Sequence, residues 1–157
     1  MNATRIATFE GAVALALLLG ALFFQYALNY PPCEMCHWQR WPHIAAAVVG
    51  LGGALLLGSG MLSARFAPIV AALAILGVAV SGGLGVFHAG VEWHWWPGPT
   101  ACTTGFHFNG GPLDLNAPVP HCDIPAWTLF GLSLAGYNAI VSLAAAALGA
   151  VLLARRP

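Results

Sequence analysis

Two pairs of cysteines are the residues of this chain best suited to chemistry. Cys33 and Cys36 form a Cys-x-x-Cys, a spacing suited to opening and closing a disulfide. Cys102 and Cys122 are separated by nineteen residues of loop. Disulfide exchange proceeds by thiolate attack, so its rate follows thiolate fraction and access. Arg40 comes four residues after Cys36, which in a helix puts the two on one face a turn apart. A cation there stabilises a Cys36 thiolate, as does a helix N-terminus near Cys36. Pro42 is easiest in a first helical turn, so a start near Trp41, with Cys36 in the preceding turn, stays open. Between Cys102 and Cys122 lie Asn109-Gly110-Gly111-Pro112 and Asn116-Ala117-Pro118, a loop low in core-forming residues. A static staple closing it contributes about 3 kcal/mol. The functional alternative is a movable disulfide that reaches a partner and then hands electrons to the first pair. The sequence leaves both open.

Other chemistries compete for the same residues. Cys33-Glu34-Met35-Cys36-His37 is a literal C-x-x-C-H, the c-type haem attachment pattern. That reading makes the chain a haem electron carrier and leaves Cys102 and Cys122 as an unrelated disulfide. A four-thiolate zinc site normally uses two knuckle-like pairs, and the second pair here has no such spacing. His37, His43, His94, His107 and His121 are scattered, and no metal site is built from them. A third reading is a membrane scaffold with two structural disulfides. Leu84, His88 and Glu92 recur every four residues and share a face if the helix continues that far. His88, near a membrane boundary, is placed to hydrogen-bond a quinone carbonyl; the plain alternative is a polar interfacial histidine. Glu92 is expected to meet water or cap a turn.

The elements that position these groups are membrane helices. Of 157 residues, 59% are hydrophobic and 6% charged, against about 25% charged in soluble proteins. Net charge is zero, and nothing points to nucleic-acid binding. An apolar run of about 20 residues crosses a bilayer as a helix. Four such runs predict an all-α membrane protein, a four-transmembrane-helix bundle with two periplasmic loops. The helices are expected at about 9–28, 43–63, 66–88 and 126–154, with loops at about 29–41 and 89–125, in one integral membrane domain. The last run exceeds the bilayer and is expected to tilt or emerge. The first follows Arg5 as a signal peptide would, but it is long and lacks a small-x-small cleavage site. Pro32 before Cys33 does not suit a lipoprotein site.

Arginine placement gives the orientation. Arg5, Arg65, Arg155 and Arg156 fall on one side of four spans, which should be the cytoplasm; Arg40 is the exception. Both termini are then cytoplasmic and all four cysteines face the compartment where disulfides persist. Glu34, Glu92, Asp114 and Asp123 share that side. Trp38, Trp41, Trp93, Trp95, Trp96 and Trp127 cluster near the same interface as an aromatic belt. Ala46, Gly50, Ala54 and Gly58, and Gly77, Ser81 and Gly85, read as close-packing faces with no chemistry. Gln25, Tyr137 and Asn138 need hydrogen-bond partners, expected between helices.

Several motifs taken together carry a family resemblance. Pro32-Cys33-x-x-Cys36-x-x-x-Arg40, Trp96-Pro97-x-Pro99-x-x-Cys102 and Cys122-Asp123-x-Pro125-x-Trp127-x-Leu129-Phe130-Gly131-Leu132-Ser133 resemble the disulfide bond formation protein B family of bacterial inner-membrane oxidoreductases. The resemblance covers nearly the whole chain. It implies a relay. Cys102 and Cys122 would oxidise a periplasmic thioredoxin-fold thiol oxidase, with Cys102 forming the mixed disulfide. Electrons would pass to Cys33 and Cys36, and then to ubiquinone or menaquinone in the membrane. It also implies that Cys36 contacts the quinone ring, that Arg40 stabilises this contact, and that His88 lies near the quinone.

Overall fold

The computed structural model describes residues 1–103 and 121–155. The Asn-Gly and Asn-Ala-Pro motifs of the second loop, His107, Asp114 and Arg156 lie outside the described residues. Four long apolar helices form the bundle. They are α1 (Ala3–Tyr26), α2 (Glu34–Gly58), α3 (Ala67–Glu92) and, after a one-turn α4 (Thr100–Thr103) and a two-stranded hairpin, α5 (Leu134–Ala154). The hairpin pairs β1 (Thr128–Leu129) with β2 (Leu132–Ser133).

Each helix begins where local chemistry supplies a cap, and the boundaries depart from hydropathy for that reason. α1 starts at Ala3, not near 9, because the Asn2 side chain accepts the Arg5 N–H at 2.9 Å. α2 starts at Glu34, not near 43 or Trp41. Cys33 is its N-cap, its sulfur accepting the Cys36 N–H at 3.2 Å, and Pro42 is carried inside the helix. Met35, Gln39 and His43, four residues apart, are all buried. That half-polar stripe escapes a criterion based on apolar runs. α3 continues past 88 to Glu92 because both His88 and Glu92 find partners inside the bundle. α5 starts at Leu134 rather than 126. The hairpin before it turns on Phe130 (φ 50°) and Gly131 (φ 79°), the left-handed pair a two-residue hairpin needs. Ser133 then caps α5 by accepting the Gly136 N–H at 3.1 Å.

Small residues set the packing, as expected where lipid gives helices no hydrophobic reason to associate. A single π turn, Val48–Gly52, brings α2 against α1. A Cβ on Gly50 would lie 2.6 Å from the Ala7 carbonyl oxygen and 2.9 Å from the Gly11 backbone nitrogen. On α3, a Cβ at Gly85 would meet the α5 backbone at 3.0 Å. Gly58 ends α2 exposed, so the four-residue stripe on that helix packs only in part. One apolar cluster (Ala3, Ile6, Ala7, Val70, Ala71) closes the end bearing the N-terminus. A second (Ala14, Ala46, Val78, Ala145) fills the middle. Leu19, Phe23, Leu55, Leu76 and Ile140 are exposed, a surface suited to lipid. Glu10 departs from this apolar interior. It is fully buried, neither carboxylate oxygen has a partner among the described residues, and one of them lies against Gly149.

Candidate functional site

The third buried cluster is made of Cys33, Met35, Val91, Cys102 and Cys122. It forms where the start of α2 meets the end of α3, and α4 and the segment before the hairpin pack onto it. Cys102 and Cys122 form a disulfide with Cα atoms 5.5 Å apart. Their backbones are also joined, the Cys122 N–H donating to the Cys102 carbonyl at 3.2 Å. Cys33 and Cys36 are free thiols whose sulfurs approach to 2.7 Å. The Cys33 sulfur lies within 4.8 Å of both sulfurs of the disulfide. All four cysteines therefore meet at one end of the bundle, with Cys33 in the middle.

Hydrogen bonding distinguishes the two thiols. The Cys33–Cys36 hydrogen bond, reinforced by burial, pushes the Cys33 thiol well above the usual thiol range. Cys36 sits in the first turn of a long helix, where the dipole favours negative charge. Arg40 lies one turn further on, as its spacing predicts. Its Nη1 donates to Gln25 Oε1 at 2.5 Å, tying α2 to α1, while its Nε–H is buried without a partner among the described residues.

His88 is buried with its ring between the two halves of the site. Nε2 is 3.6 Å from the Cys33 sulfur and 3.8 Å from Glu92 Oε1, and Nδ1 meets Gln39 Nε2 at 2.8 Å. It is thus part of the sulfur cluster, not a polar residue at the interface. Glu92, expected to meet water or cap a turn, points into the bundle instead. It is buried and accepts a hydrogen bond from Ser133 Oγ, the residue that caps α5. Behind His88 runs a polar network that sequence reasoning missed. Gln39 joins His88 to Asn138, and Asn138 joins Ser81, Ser142 and His43. Ser81, assigned only to packing, also donates to the Gln39 carbonyl at 2.9 Å. Gln25 and Asn138 find the inter-helix partners expected of them. Tyr137 instead donates to the Leu129 carbonyl of the adjoining hairpin.

Two cavities flank Cys36 and His88. The first, of about 290 Å³, has mostly apolar walls that include Leu17, Phe24 and Leu134, with Cys36, Arg40 and His88 at its polar end. The second, of about 270 Å³, borders Cys33, Cys36, His88 and Glu92. The first cavity is near the lower size limit for small-molecule pockets and has the usual composition, apolar walls with a few convergent polar groups. Its apolar walls, with Cys36, Arg40 and His88 at one end, suit a flat, largely apolar molecule that carries polar atoms at one end.

The haem alternative finds no support. The sulfurs of the Cys-x-x-Cys face each other and the buried cluster, and His37 is exposed. Four-thiolate zinc is likewise unsupported, because Cys102 and Cys122 are bonded to each other.

These features define a class: a four-span membrane protein that holds a dithiol against a disulfide at one end of its bundle. Within that class the chain belongs to the DsbB family, whose model, described as disulfide bond formation protein DsbB, matches residues 4–152. It is 35% identical to disulfide bond formation protein B of Burkholderia thailandensis over 88 residues, 56% of this chain and 49% of that one. It is 27% identical to the protein of the same name from Polaromonas sp. over 169 aligned positions, 96% of this chain and 90% of the relative. The figure for Aromatoleum aromaticum is 27% over 153 positions, 92% of this chain and 89% of the relative. The chain thus matches about half the length of its Burkholderia relatives and nearly all of the other two. No solved structure gives a match.

Proposed function

We propose that this chain is a membrane thiol:quinone oxidoreductase that reoxidises a thioredoxin-fold disulfide donor in the bacterial periplasm. One observation carries the reading: Cys33 lies within 4.8 Å of both sulfurs of the Cys102–Cys122 disulfide, while its neighbour Cys36 lines an apolar cavity. A dithiol so placed has a protein disulfide on one side and room for a lipid-soluble acceptor on the other.

The exchange reactions follow from this arrangement. The partner's dithiol reduces the Cys102–Cys122 disulfide through a mixed disulfide, with Cys102 as the attacked sulfur. Both loop cysteines are buried, so this pair leaves the Cys33 pocket to meet a soluble protein. On its return, a loop thiolate attacks the Cys33–Cys36 disulfide at Cys33 and Cys36 departs as a thiolate. The second loop thiolate then re-forms Cys102–Cys122 and releases Cys33. One disulfide breaks and one forms at each step, so the electron pair moves to Cys33 and Cys36.

Ubiquinone or menaquinone, bound in the larger cavity, supplies an acceptor for two electrons and two protons. Cys36, Arg40 and His88 would hold its ring end, and the apolar wall from α1 would hold its tail. Arg40 keeps a cation beside Cys36 while its other face is anchored to Gln25. Arg5, Arg65 and Arg155 lie at the bundle end opposite the cysteines, which supports cytoplasmic termini and periplasmic sulfurs.

Purified protein in lipid, given a reduced thioredoxin-fold substrate and ubiquinone or menaquinone, should reduce the quinone. Alanine at Cys33, Cys36, Cys102 or Cys122 should abolish the reaction. Wild-type rates in any of the four variants would remove that cysteine from the relay.

A further inference from the structure

The polar network behind His88 fixes where that ring carries its proton. Two backbone carbonyls, which can only accept, set the direction of every bond in it. Gln39 Nε2 lies 3.1 Å from the Met35 carbonyl, so that atom is the amide nitrogen and Oε1 is the oxygen. Asn138 Nδ2 lies 3.1 Å from the Ser81 carbonyl, which identifies its nitrogen in the same way. Asn138 Nδ2 therefore donates to Gln39 Oε1 at 2.7 Å, and Gln39 Nε2 donates to His88 Nδ1 at 2.8 Å. On its other face, Asn138 Oδ1 accepts from Ser142 Oγ at 2.8 Å and from His43 Nε2 at 2.8 Å. Turning either amide over would set donor against donor and acceptor against acceptor inside the bundle. His88 Nδ1 is thus an acceptor, and a neutral ring keeps its hydrogen on Nε2. Around Nε2 stand groups able to accept: the Cys33 sulfur at 3.6 Å and Glu92 Oε1 at 3.8 Å.

We infer that Gln39 and Asn138 are positioning residues that hold His88 as the Nε2–H tautomer, donating toward the Cys33 sulfur. The hydrogen bonds then run in one direction, from Asn138 through Gln39 and His88 to the Cys33 sulfur. This deepens the exchange reaction proposed above and takes its functional meaning from it. In the step that re-forms Cys102–Cys122, the bond between Cys33 and a loop sulfur breaks and its electron pair goes to Cys33. The His88 Nε2–H meets that charge as it develops. The structure holds the sulfurs in the state that follows this step, with the loop pair oxidised and the Cys33/Cys36 pair reduced.

Long-range proton–nitrogen correlation spectra of the full chain, labelled with 15N-histidine in nanodiscs, read the tautomer directly. The His88 signals are assigned by their loss in His88→Gln. The wild-type ring should be neutral with hydrogen on Nε2. Gln39→Glu, which offers His88 only acceptors, should move the hydrogen to Nδ1. It should also slow exchange between Cys33 and the loop pair roughly ten-fold, the loss of about one hydrogen bond to a charged group. A wild-type Nδ1–H ring would overturn the inference without any variant, as would Gln39→Glu keeping Nε2–H. The spectrum is recorded without turnover, so it stands apart from the proposed activity. An Nε2–H ring in a protein that reduces no quinone would refute the function and leave the tautomer intact.

Discussion

Ser133 joins the fold to the site, and removing its hydroxyl tests that join. Its Oγ accepts the Gly136 N–H and so caps α5. The same oxygen donates to the buried carboxylate of Glu92 at the end of α3. Ser133→Ala loses an N-cap, worth about 1 kcal/mol. It also strands a buried carboxylate oxygen, which costs about 1–3 kcal/mol. The sum is roughly 2–4 kcal/mol, or about thirty- to a thousand-fold in the unfolding equilibrium. Reversible denaturation in mixed micelles, followed by tryptophan fluorescence, measures it. Two companions separate the terms. Ser133→Thr keeps both roles and should sit close to wild type. Ser133→Asp keeps the cap but sets a second carboxylate against Glu92, and should be no more stable than Ser133→Ala. If Ser133→Ala lies within about 0.5 kcal/mol of wild type, the reasoning on both terms fails. If Ser133→Asp restores full stability, the bond to Glu92 contributes nothing.

Other predictions follow from single contacts. Gly50→Leu places a side chain where the α1 backbone already lies, so it should destabilise the bundle by about 1–3 kcal/mol in the same denaturation assay, and more than Gly58→Leu at the exposed end of α2. Glu10→Gln removes a potential charge from a site with no partner among the described residues and should leave stability unchanged or raise it by about 1 kcal/mol, whereas a clear loss would mean that Glu10 has a partner of its own. The raised Cys33 thiol stays protonated past the pH at which an ordinary thiol ionises. In Cys102→Ala/Cys122→Ala protein its alkylation by a small haloacetamide should therefore take off at higher pH than that of free cysteine, and coincident profiles would refute the Cys36 hydrogen bond and burial as its cause.

The four spans are legible in the sequence because nothing but hydrocarbon contact is needed to read them. Each run is long, nearly uncharged and flanked by polar or aromatic residues. The sulfur cluster is legible for a similar reason: four spans leave the cysteines only one end of the bundle to occupy. The start of α2 is harder, because Cys33 is an unusual cap and the first two turns bury Met35, Gln39 and His43 among polar neighbours. Met35, Gln39 and His43 at four-residue spacing were the available signal. The hairpin at 128–133 hides in an apolar run, and Phe130-Gly131 is its only mark. The Gln39–His88–Asn138 network is not legible at all as a network. It joins polar residues 49 and 99 positions apart, and such a meeting depends on helix rotation and crossing. That Asn138 needs a partner was visible; which one was not. Glu10 shows the converse, a charge inside a span whose place among small residues only packing reveals.

The central claim is that Cys33 sits within bonding reach of both loop cysteines. Cys36→Ala/Cys122→Ala retains only Cys33 and Cys102, and Cys36→Ala/Cys102→Ala retains only Cys33 and Cys122. Mild oxidation in membranes, followed by peptide mapping under non-reducing conditions, reads the bond formed. An intramolecular disulfide from Cys33 in near-complete yield is expected in both proteins. Free Cys33 in both, with the loop cysteine equally free or bonded to a second molecule, would contradict the account.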